Sequence, residues 1–361
     1  MSEAILAVSA AVIGGIVGSF LNACIYRLPR GISLNQPPRS FCPLCLRAIP
    51  WRENVPILSW LLLRGRCSSC GAKISARYLL VELLTASLFV LVWLRFGFPL
   101  AAVYWVFVAL LLAATFIDLE HFLIPDEITV VGIAMGLLLS ALFPQMMQTS
   151  SHVESFWLSF GAAAFGFGLL WAIVELGKLA FGNKRHRFEK EEPFAVRPSE
   201  GAMTLQIGEE VFCWDDIFAR ESDELVLECA SANVAGDRPV LRFRHDRMIV
   251  ANQETPLDKL EAITGTLRGA IIPREAMGFG DVKLIAAIGA FLGWKAVLFA
   301  LATASIVGCV AAFAGIFLAR DRAGARVPFG PFLAFGALLW IFGGEGLWNA
   351  YFGILREGSA F

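Results

Sequence analysis

Charged residues and histidines are scarce in this chain, and each scarcity excludes a class of protein. Asp, Glu, Lys and Arg make up 17% of the 361 residues, against about a quarter in typical soluble domains. The chain contains four histidines, so few residues are available for a Ser-His or Cys-His catalytic set. The formal net charge of −1 excludes the large basic field of a nucleic-acid-binding protein. Because 57% of the residues are hydrophobic and the mean hydropathy is +0.66, the chain is predicted to be a polytopic membrane protein.

Hydropathy predicts about eight transmembrane helices in an all-α membrane protein. The loop that follows the first apolar segment carries nine Lys or Arg against one acid, Glu53, which predicts a cytoplasmic loop and an N-terminus outside. The first segment lacks a basic n-region and a cleavage site, so we expect it to be retained. The predicted segments are residues 4–26, 79–95, 99–117, 127–143, 155–181, 281–294, 296–319 and 328–351.

The membrane halves are interrupted by two polar regions of different character. Residues 183–270 contain alternating stretches such as Val240-Leu241-Arg242-Phe243, which predict a small β-rich cytoplasmic insert. The expected organisation is a first helix (1–26), a cytoplasmic loop (27–78), helices two to five (79–182), the insert (183–270) and a final helical region (271–361).

The cytoplasmic loop holds two Cys-x-x-Cys pairs separated by 21 residues. Four thiolates suit a tetrahedral structural zinc ion, because every coordination position is then filled by protein. Free structural cysteines or a redox pair are the alternatives, and the reducing cytosol disfavours a lasting disulfide. The predicted zinc ligands are Cys42, Cys45, Cys67 and Cys70.

Two acids stand where apolar segments meet the predicted cytoplasmic face. Asp281 lies in a run in which Gly278 and Gly280 allow close approach of another chain, and Asp118 ends the third segment. Intramembrane acids are functional-site candidates by default. Two carboxyl groups that share a proton can activate water and protonate a leaving group, as in aspartic proteases.

Other polar residues compete for roles around these two acids. Asp126 and Glu120 are rivals for the second catalytic place, although a position at a helix start after Pro125 predicts a capping role for Asp126. Lys283 is either an anchor at the membrane surface or a group that tunes Asp281. From helix dipoles alone, we expect Asp281 to be the ionised base and Asp118 to hold the proton.

The chain resembles the bacterial type IV prepilin peptidases, which are bifunctional leader peptidases and N-methyltransferases of the GxGD aspartic-protease class. The stretches that carry the resemblance are GSFLNACIYRLP, WRENVPILSWLLLRGRC with both Cys pairs, RYLLVELLT, FIDLEHFLIPDEIT and EAMGFGDVKLIAAIGAFLGW. The resemblance implies that Asp118 and Asp281 are the catalytic acids. It further implies cleavage of a basic leader from prepilins or type II secretion pseudopilins at the cytoplasmic face of the inner membrane.

The same resemblance implies methylation of the new N-terminal residue, commonly Phe, with S-adenosylmethionine as the methyl donor. Methyl transfer is thought to reside in the large cytoplasmic loop of the family. The insert of residues 183–270 departs from the relatives, which usually have a short connection there. The candidate methyltransferase residues are Glu53, Arg64, Arg66, Arg77 and Glu82.

Three other functions are compatible with parts of this pattern. A proton- or ion-coupled transporter, or an assembly scaffold with a zinc loop, would also use intramembrane acids. A presenilin-like protease would not need the four-thiolate loop. The third alternative is a peptidase that has lost methyl transfer, and loss of the zinc loop would separate the two activities. Expected partners are prepilins, membrane lipid and pilus or secretion assembly proteins, but not nucleic acid.

Overall fold

The computed structural model describes two compact units, Met1–Trp171 with Gly278–Phe361, and Ala172–Met277. The described residues are 3–37, 39–181, 184–199, 202–208, 210–218, 224–233, 239–250, 253–257, 260, 262–272, 278–319 and 327–358.

Helices form most of the described part of the first unit. The described part of the second unit contains the last residues of the helix His152–Phe181 and the short helix Trp214–Ile217. Pro99 and Pro125 each precede a helix, and Gly97 and Gly293 each follow one with a positive φ, of 64° and 82°. These residues set the helix boundaries. The helices are α1 Glu3–Arg27, α2 Leu58–Leu62, α3 Ala76–Phe96, α4 Leu100–His121, α5 Asp126–Leu142, α6 His152–Phe181, α7 Trp214–Ile217, α8 Phe279–Leu292, α9 Trp294–Ala319, α10 Gly330–Leu339 and α11 Glu345–Gly358, with a π-helical turn, Trp340–Gly344, between the last two.

Six stretches of the described chain are long and apolar enough to cross a membrane. The predicted multi-pass membrane architecture is therefore confirmed, whereas the count of eight is not, because α5 has 17 residues and α8 has 14. The six candidate spans are Glu3–Arg30, Ala76–Phe96, Leu100–His121, His152–Gly177, Trp294–Gly315 and Gly330–Gly353.

Small residues bring α1 and α3 into close contact, as membrane helices commonly do. A Cβ atom added at Gly14 would lie 2.7 Å from the Ala86 Cα, and one at Gly18 would lie 2.8 Å from the Glu82 Cα. A Cβ at Gly15 would instead meet Pro56 at 3.4 Å. Two of the three glycines of the first segment therefore face α3, and their lack of a side chain sets the spacing of this helix pair.

Replacing Gly18 with valine is expected to destabilise the protein by about 1–3 kcal/mol, because the new side chain overlaps backbone atoms of α3 that cannot move aside. Thermal unfolding in detergent measures the change. Gly161→Val is the matched control, since a Cβ at this helical glycine meets no atom within 4 Å. Equal unfolding temperatures for the two variants would contradict the close α1–α3 contact.

The interior of the helical unit is formed around α4 and α8. The Phe107 ring of α4 and the Phe291 ring of α8 stack with centroids 4.5 Å apart, and both side chains are fully buried. Most of α8 is buried, including its first acid, Asp281. The two helices that carry the acids are thus the most protein-enclosed parts of the unit.

The described residues of the second unit form an eight-stranded antiparallel sheet, which confirms the predicted β region. The strands are β1 Lys184–Ser199, β2 Ala202–Ile207, β3 Glu210–Cys213, β4 Leu225–Ala232, β5 Val240–Phe243, β6 Arg247–Val250, β7 Gln253–Pro256 and β8 Ile263–Ile272. Their spatial order is β3-β2-β1-β8-β4-β5-β6-β7, so the long β1 and β8 pair in the interior of the sheet.

Alternation along the strands produces one buried face. Leu225 and Leu227 of β4, and Leu241 and Phe243 of β5, are fully buried, whereas the residues between them are more exposed. Trp214 of α7 packs its ring edge against Phe243 and joins this core. The period of two in the sequence therefore corresponds to a sheet with a hydrophobic core on one side.

Candidate active site and cysteine cluster

Asp118 lies in the last turn of α4 and is 5% exposed. The helix ends at Phe122, which has a left-handed φ of 54° and donates its N–H to the Asp118 carbonyl at 2.9 Å. The side chain is held as well, because the Gly330 N–H donates a hydrogen bond of 2.9 Å to Asp118 Oδ2. Both the main chain and the side chain of Asp118 are therefore held in place.

Gly330 is the first residue of α10, so its N–H is one of the amides that a helix leaves without an internal partner. A Cβ at this position would lie 2.7 Å from Asp118 Oδ2 and 2.9 Å from Ile124 Cδ1. Only glycine permits this approach. The start of α10 thus offers a favourable helix end to Asp118, although the C-terminus of α4 disfavours a negative charge there.

Asp281 lies in the first turn of α8 and is 7% exposed. Its Oδ1 is buried and has no hydrogen-bond partner among the described residues. The adjacent Gly280 packs against the loop after α4, where an added Cβ would lie 2.9 Å from Ile124 Cβ. Ile124 also lies against Gly330, whose N–H binds the Asp118 carboxylate, so this one side chain connects the two acidic positions.

This arrangement suits proton sharing between two carboxyl groups. A buried carboxyl oxygen without a partner is costly, and such sites are typical of functional positions. Here Asp281 Oδ1 is free to receive a proton or a water molecule, while Asp118 Oδ2 is engaged by a backbone N–H. The geometry is therefore compatible with an aspartic dyad.

The two rivals for the second acid have other partners. Asp126 Oδ1 binds Lys283 Nζ at 2.6 Å, and Glu120 Oε2 accepts a hydrogen bond from Arg77. Asp126 is the first residue of α5, where its charge favours the helix start, although the capping position itself is Pro125. Lys283 also lies 4.9 Å from the Phe279 ring centroid. Glu275 to Met277, which precede this motif, lie outside the described residues.

Asp126→Asn is expected to reduce any peptidase activity by less than about fivefold, because an exposed ion pair contributes at most about 1 kcal/mol. The Asp126 side chain is 64% exposed and faces Lys283. Lys283→Met should have a similar effect, and the double variant should be no worse than either single one. A loss as large as that of Asp118→Asn would instead make Asp126 a member of the catalytic pair. Initial cleavage rates measure all three variants.

The four cysteines of the loop form one cluster. Their Sγ atoms all lie within 4.8 Å of one another, and Cys42 and Cys70 Sγ are 3.8 Å apart. A zinc ion with Zn–S bonds of about 2.3 Å in a tetrahedron requires S–S separations of about 3.8 Å. The four side chains therefore fit a tetrahedral ion.

The two Cys-x-x-Cys turns have the same backbone geometry. The Cys42 N–H binds the Arg47 carbonyl and the Cys67 N–H binds the Ala72 carbonyl, five residues on in each turn. Leu46 and Gly71 occupy equivalent left-handed positions, with φ of 57° and 70°. This repeated turn directs each pair of thiols toward the same point.

Backbone amides favour thiolates at the first cysteine of each turn. The N–H groups of Cys45 and Leu44 lower the pKa of the Cys42 thiol, and those of Cys70 and Ser69 lower the pKa of Cys67 to about 6. The Ala72 N–H lowers the pKa of the Cys70 thiol, but desolvation and the neighbouring thiols together outweigh it and raise this pKa to about 11. Thiolate is the form that binds metal.

A cavity of about 420 Å³ lies between the cysteine loop and the ends of α1, α3 and α4. This volume is within the range of roughly 300–1,000 Å³ for small-molecule sites. The cavity wall includes the predicted residues Glu53, Arg77 and Glu82. Arg64 and Arg66 are exposed and are not among the lining residues, so the structure brings together three of the five methyltransferase candidates.

Two acids of this cavity wall hold the loop in shape. Glu53 Oε2 accepts a hydrogen bond from Ser68 Oγ at 2.6 Å and Oε1 binds Arg47, and the Ser68 hydroxyl followed by Arg47 keeps the pKa of Glu53 below its ordinary value. Since Arg47 and Ser68 come from different turns, Glu53 links the two halves of the cluster. Glu82 Oε2 accepts the Ile57 N–H at 2.7 Å and so connects α3 to the loop.

Three buried polar atoms on this wall have no hydrogen-bond partner among the described residues: Asn22 Oδ1, Trp60 Nε1 and Arg77 Nε. Asn22 is 2% exposed, and its amide nitrogen donates to the Tyr78 carbonyl at 3.0 Å. One acceptor and two donors are thus available for a polar ligand. The sequence did not predict roles for Gly330, Trp60 and Tyr78, because none of them lies in a motif that indicates which residues it contacts.

Comparisons with known proteins match both membrane regions. A family model described as the bacterial peptidase A24 N-terminal domain matches residues 12–96, and one described as the type IV leader peptidase family matches residues 105–183 and 248–313. The interruption in the second match falls within the sheet-containing unit. No solved structure gives a significant match.

Relatives named prepilin leader peptidase/N-methyltransferase match most of the chain. The Myxococcus xanthus protein is 33% identical over 316 residues, which are 87% of this chain and 64% of that protein. The Pseudomonas aeruginosa protein is 28% identical, over 91% of this chain and 88% of its own length. The Aeromonas hydrophila protein is 31% identical over 356 residues, which are 90% of this chain and 87% of that protein. This chain therefore belongs to the type IV leader peptidase family.

Proposed function

We propose that this protein cleaves the basic leader from type IV prepilins or type II secretion pseudopilins and methylates the new N-terminus. The observation that carries the proposal is the pair of buried acids, Asp118 and Asp281, joined through Ile124 at helix ends in a member of this family. The names of the relatives support both activities.

In the peptidase reaction, the two carboxyl groups act as one unit that shares a proton. The ionised carboxyl group removes a proton from water, which attacks the peptide carbonyl, while the protonated carboxyl group donates its proton to the carbonyl oxygen. The proton taken from water then passes to the leaving amine as the carbon–nitrogen bond breaks, and the proton on the tetrahedral oxygen returns to the pair. Gly330 N–H holds Asp118 Oδ2, which fixes the direction in which Oδ1 points. Because the pair titrates jointly, the dipole-based assignment of the proton to Asp118 stays a prediction.

The membrane arrangement gives water access to this pair. We count α5 and α8 as short spans, which makes eight, with the N-terminus outside and both acids at the cytoplasmic face. A helix of 14 residues such as α8 is about 21 Å long, shorter than the hydrocarbon core of roughly 30 Å. The bilayer therefore thins or admits water beside the start of α8.

A structural zinc ion bound by Cys42, Cys45, Cys67 and Cys70 would stabilise the loop of residues 27–78. The fit rests on the 3.8 Å sulfur separation and on the repeated turn geometry. The sheet-containing insert of residues 183–270 has no assigned role in either reaction, and the helical regions 79–182 and 271–361 carry the peptidase acids.

The 420 Å³ cavity is our candidate site for S-adenosylmethionine. S-adenosylmethionine, when bound, supplies an electrophilic methyl group on a positively charged sulfur. The acids Glu53 and Glu82 complement that charge, Trp60 and Tyr78 add aromatic residues to the wall, and Asn22 Oδ1 is available to accept a hydrogen bond. The cavity thus has the volume of a small-molecule site and carries groups suited to the methyl donor.

Intact-mass spectrometry tests both activities. A prepilin is incubated with membranes that contain the full-length protein and with S-adenosylmethionine. We expect loss of the leader and gain of one methyl group. Cleavage without methylation would support the peptidase proposal and contradict the transferase proposal. An intact prepilin in the presence of folded protein would favour the transporter or scaffold alternative.

A further inference from the structure

The C-terminal end of α4 separates the acid pair from the cavity. Asp118 and Glu120 are two positions apart on this helix, so their Cα atoms are about 5.4 Å apart and their side chains point to nearly opposite sides. Asp118 contacts Gly330 of α10, whereas Glu120 contacts Arg77 of α3 and lines the cavity. One helix end therefore borders both proposed reaction sites.

Glu120 is the cavity acid that is nearest in sequence to the acid pair, and it remains partly open. Its side chain is 38% exposed, whereas its partner Arg77 is 12% exposed. Glu53 and Glu82 each accept hydrogen bonds that hold the loop together, whereas among the described residues Glu120 pairs with Arg77. Because its side chain is partly exposed, this carboxylate can accept a second cation.

Resting on the proposed function, we propose that Glu120 is a positioning residue that receives the new α-ammonium group after cleavage and directs it into the cavity. The path is short. Two side chains that reach out from opposite sides of one helix are bridged by three or four residues of extended chain, at about 3.3 Å per residue. The cut pilin therefore reaches the methyl donor without leaving the protein.

The chemistry of methylation requires such a contact at a defined point. Cleavage produces an α-amine that is largely protonated near neutral pH, since its ordinary pKa is about 7.7–8.0. The ammonium loses one proton to solvent, the nitrogen lone pair forms a bond to the methyl carbon, and the carbon–sulfur bond breaks to leave the neutral thioether S-adenosylhomocysteine. A carboxylate beside the nitrogen holds it on the line of attack.

A peptide-binding experiment tests the role of Glu120 apart from turnover. Two peptides with the first ten residues of the processed prepilin are used, one with a free α-amine and one N-acetylated, on the full-length protein in detergent. We expect the wild type to bind the free-amine peptide more tightly than the acetylated one. Glu120→Gln should reduce this affinity ratio about tenfold, which is the effect of removing a charged hydrogen bond. Glu120→Asp should recover part of it.

The matched control is Glu127→Gln, which removes an acid from the first turn of α5 that does not line the cavity. Leader cleavage and binding of S-adenosylmethionine are measured on the same preparations. Both should be unchanged in Glu127→Gln, and in Glu120→Gln methylation should fall by a larger factor than either of them. If Glu120→Gln weakens both peptides equally, or weakens donor binding instead, the residue only maintains the cavity and the inference is overturned. If wild type cleaves but does not methylate, the transferase proposal itself fails.

Discussion

Replacing Asp118 or Asp281 with asparagine is expected to reduce leader cleavage by about 1,000-fold or more, because each variant removes a proton-transfer group that water cannot replace at this buried position. The amide is almost the same size as the carboxyl group but neither gains nor loses a proton near neutral pH. Initial rates of prepilin cleavage, followed by intact mass, measure the effect.

The two variants should remain folded, which distinguishes a catalytic role from a structural one. Asp281 Oδ1 has no partner among the described residues, so Asp281→Asn is expected to leave the unfolding temperature unchanged or to raise it. Glu127→Gln is a control for removal of an acid near the same face. Cleavage above a tenth of the wild-type rate in either asparagine variant would end the case for the dyad.

Removing metal from the cysteine cluster is expected to abolish methylation and to make the loop sensitive to proteases. Most of the cavity wall comes from the loop of residues 27–78, which contains few buried apolar residues to stabilise it without a metal. Cys45→Ser should therefore lose bound zinc, measured by elemental analysis, and methyl transfer together. Leader cleavage should fall by a smaller factor, because α4, α8 and α10 carry the acid pair.

Cys309→Ser is the matched control, since this exposed cysteine of α9 lies outside the cluster. It should retain metal, protease resistance and both activities. A Cys45→Ser protein that keeps about one zinc per chain would contradict the four-thiolate site. One that loses zinc but still methylates would show that the loop folds without the ion.

The sequence was informative wherever a pattern is local. Apolar runs predicted the long membrane helices, because twenty consecutive apolar residues have few other stable environments. Alternation in residues such as Leu241 and Phe243 predicted strands, and the spacing of the Cys pairs predicted turns whose thiols converge. Each of these signals is contained within one element or one loop.

Contacts between distant segments were not predictable in the same way. Glu120 and Arg77 are 43 residues apart in the chain, and their pairing depends on how α3 lies beside α4. Arg64 and Arg66 carried the same charge signal as Arg77, but the turn at Gly65, with φ of 63°, leaves them exposed. Net charge in a loop indicates which side of the membrane it occupies, and gives no information on which side chains face a cavity.

The bond between Gly330 and Asp118 spans 212 positions and involves no side chain on one of its two partners. A library that replaces each residue with alanine would leave this amide in place, and a loss seen at position 330 would be attributed to crowding alone. Resistance to an inhibitor is constrained in the same way. A compound that displaces the Gly330 amide from the Asp118 carboxylate competes with a main-chain group, which side-chain substitutions do not remove. Only an ester in place of the amide, introduced by non-canonical residue incorporation at position 330, would separate the lost donor from the added bulk.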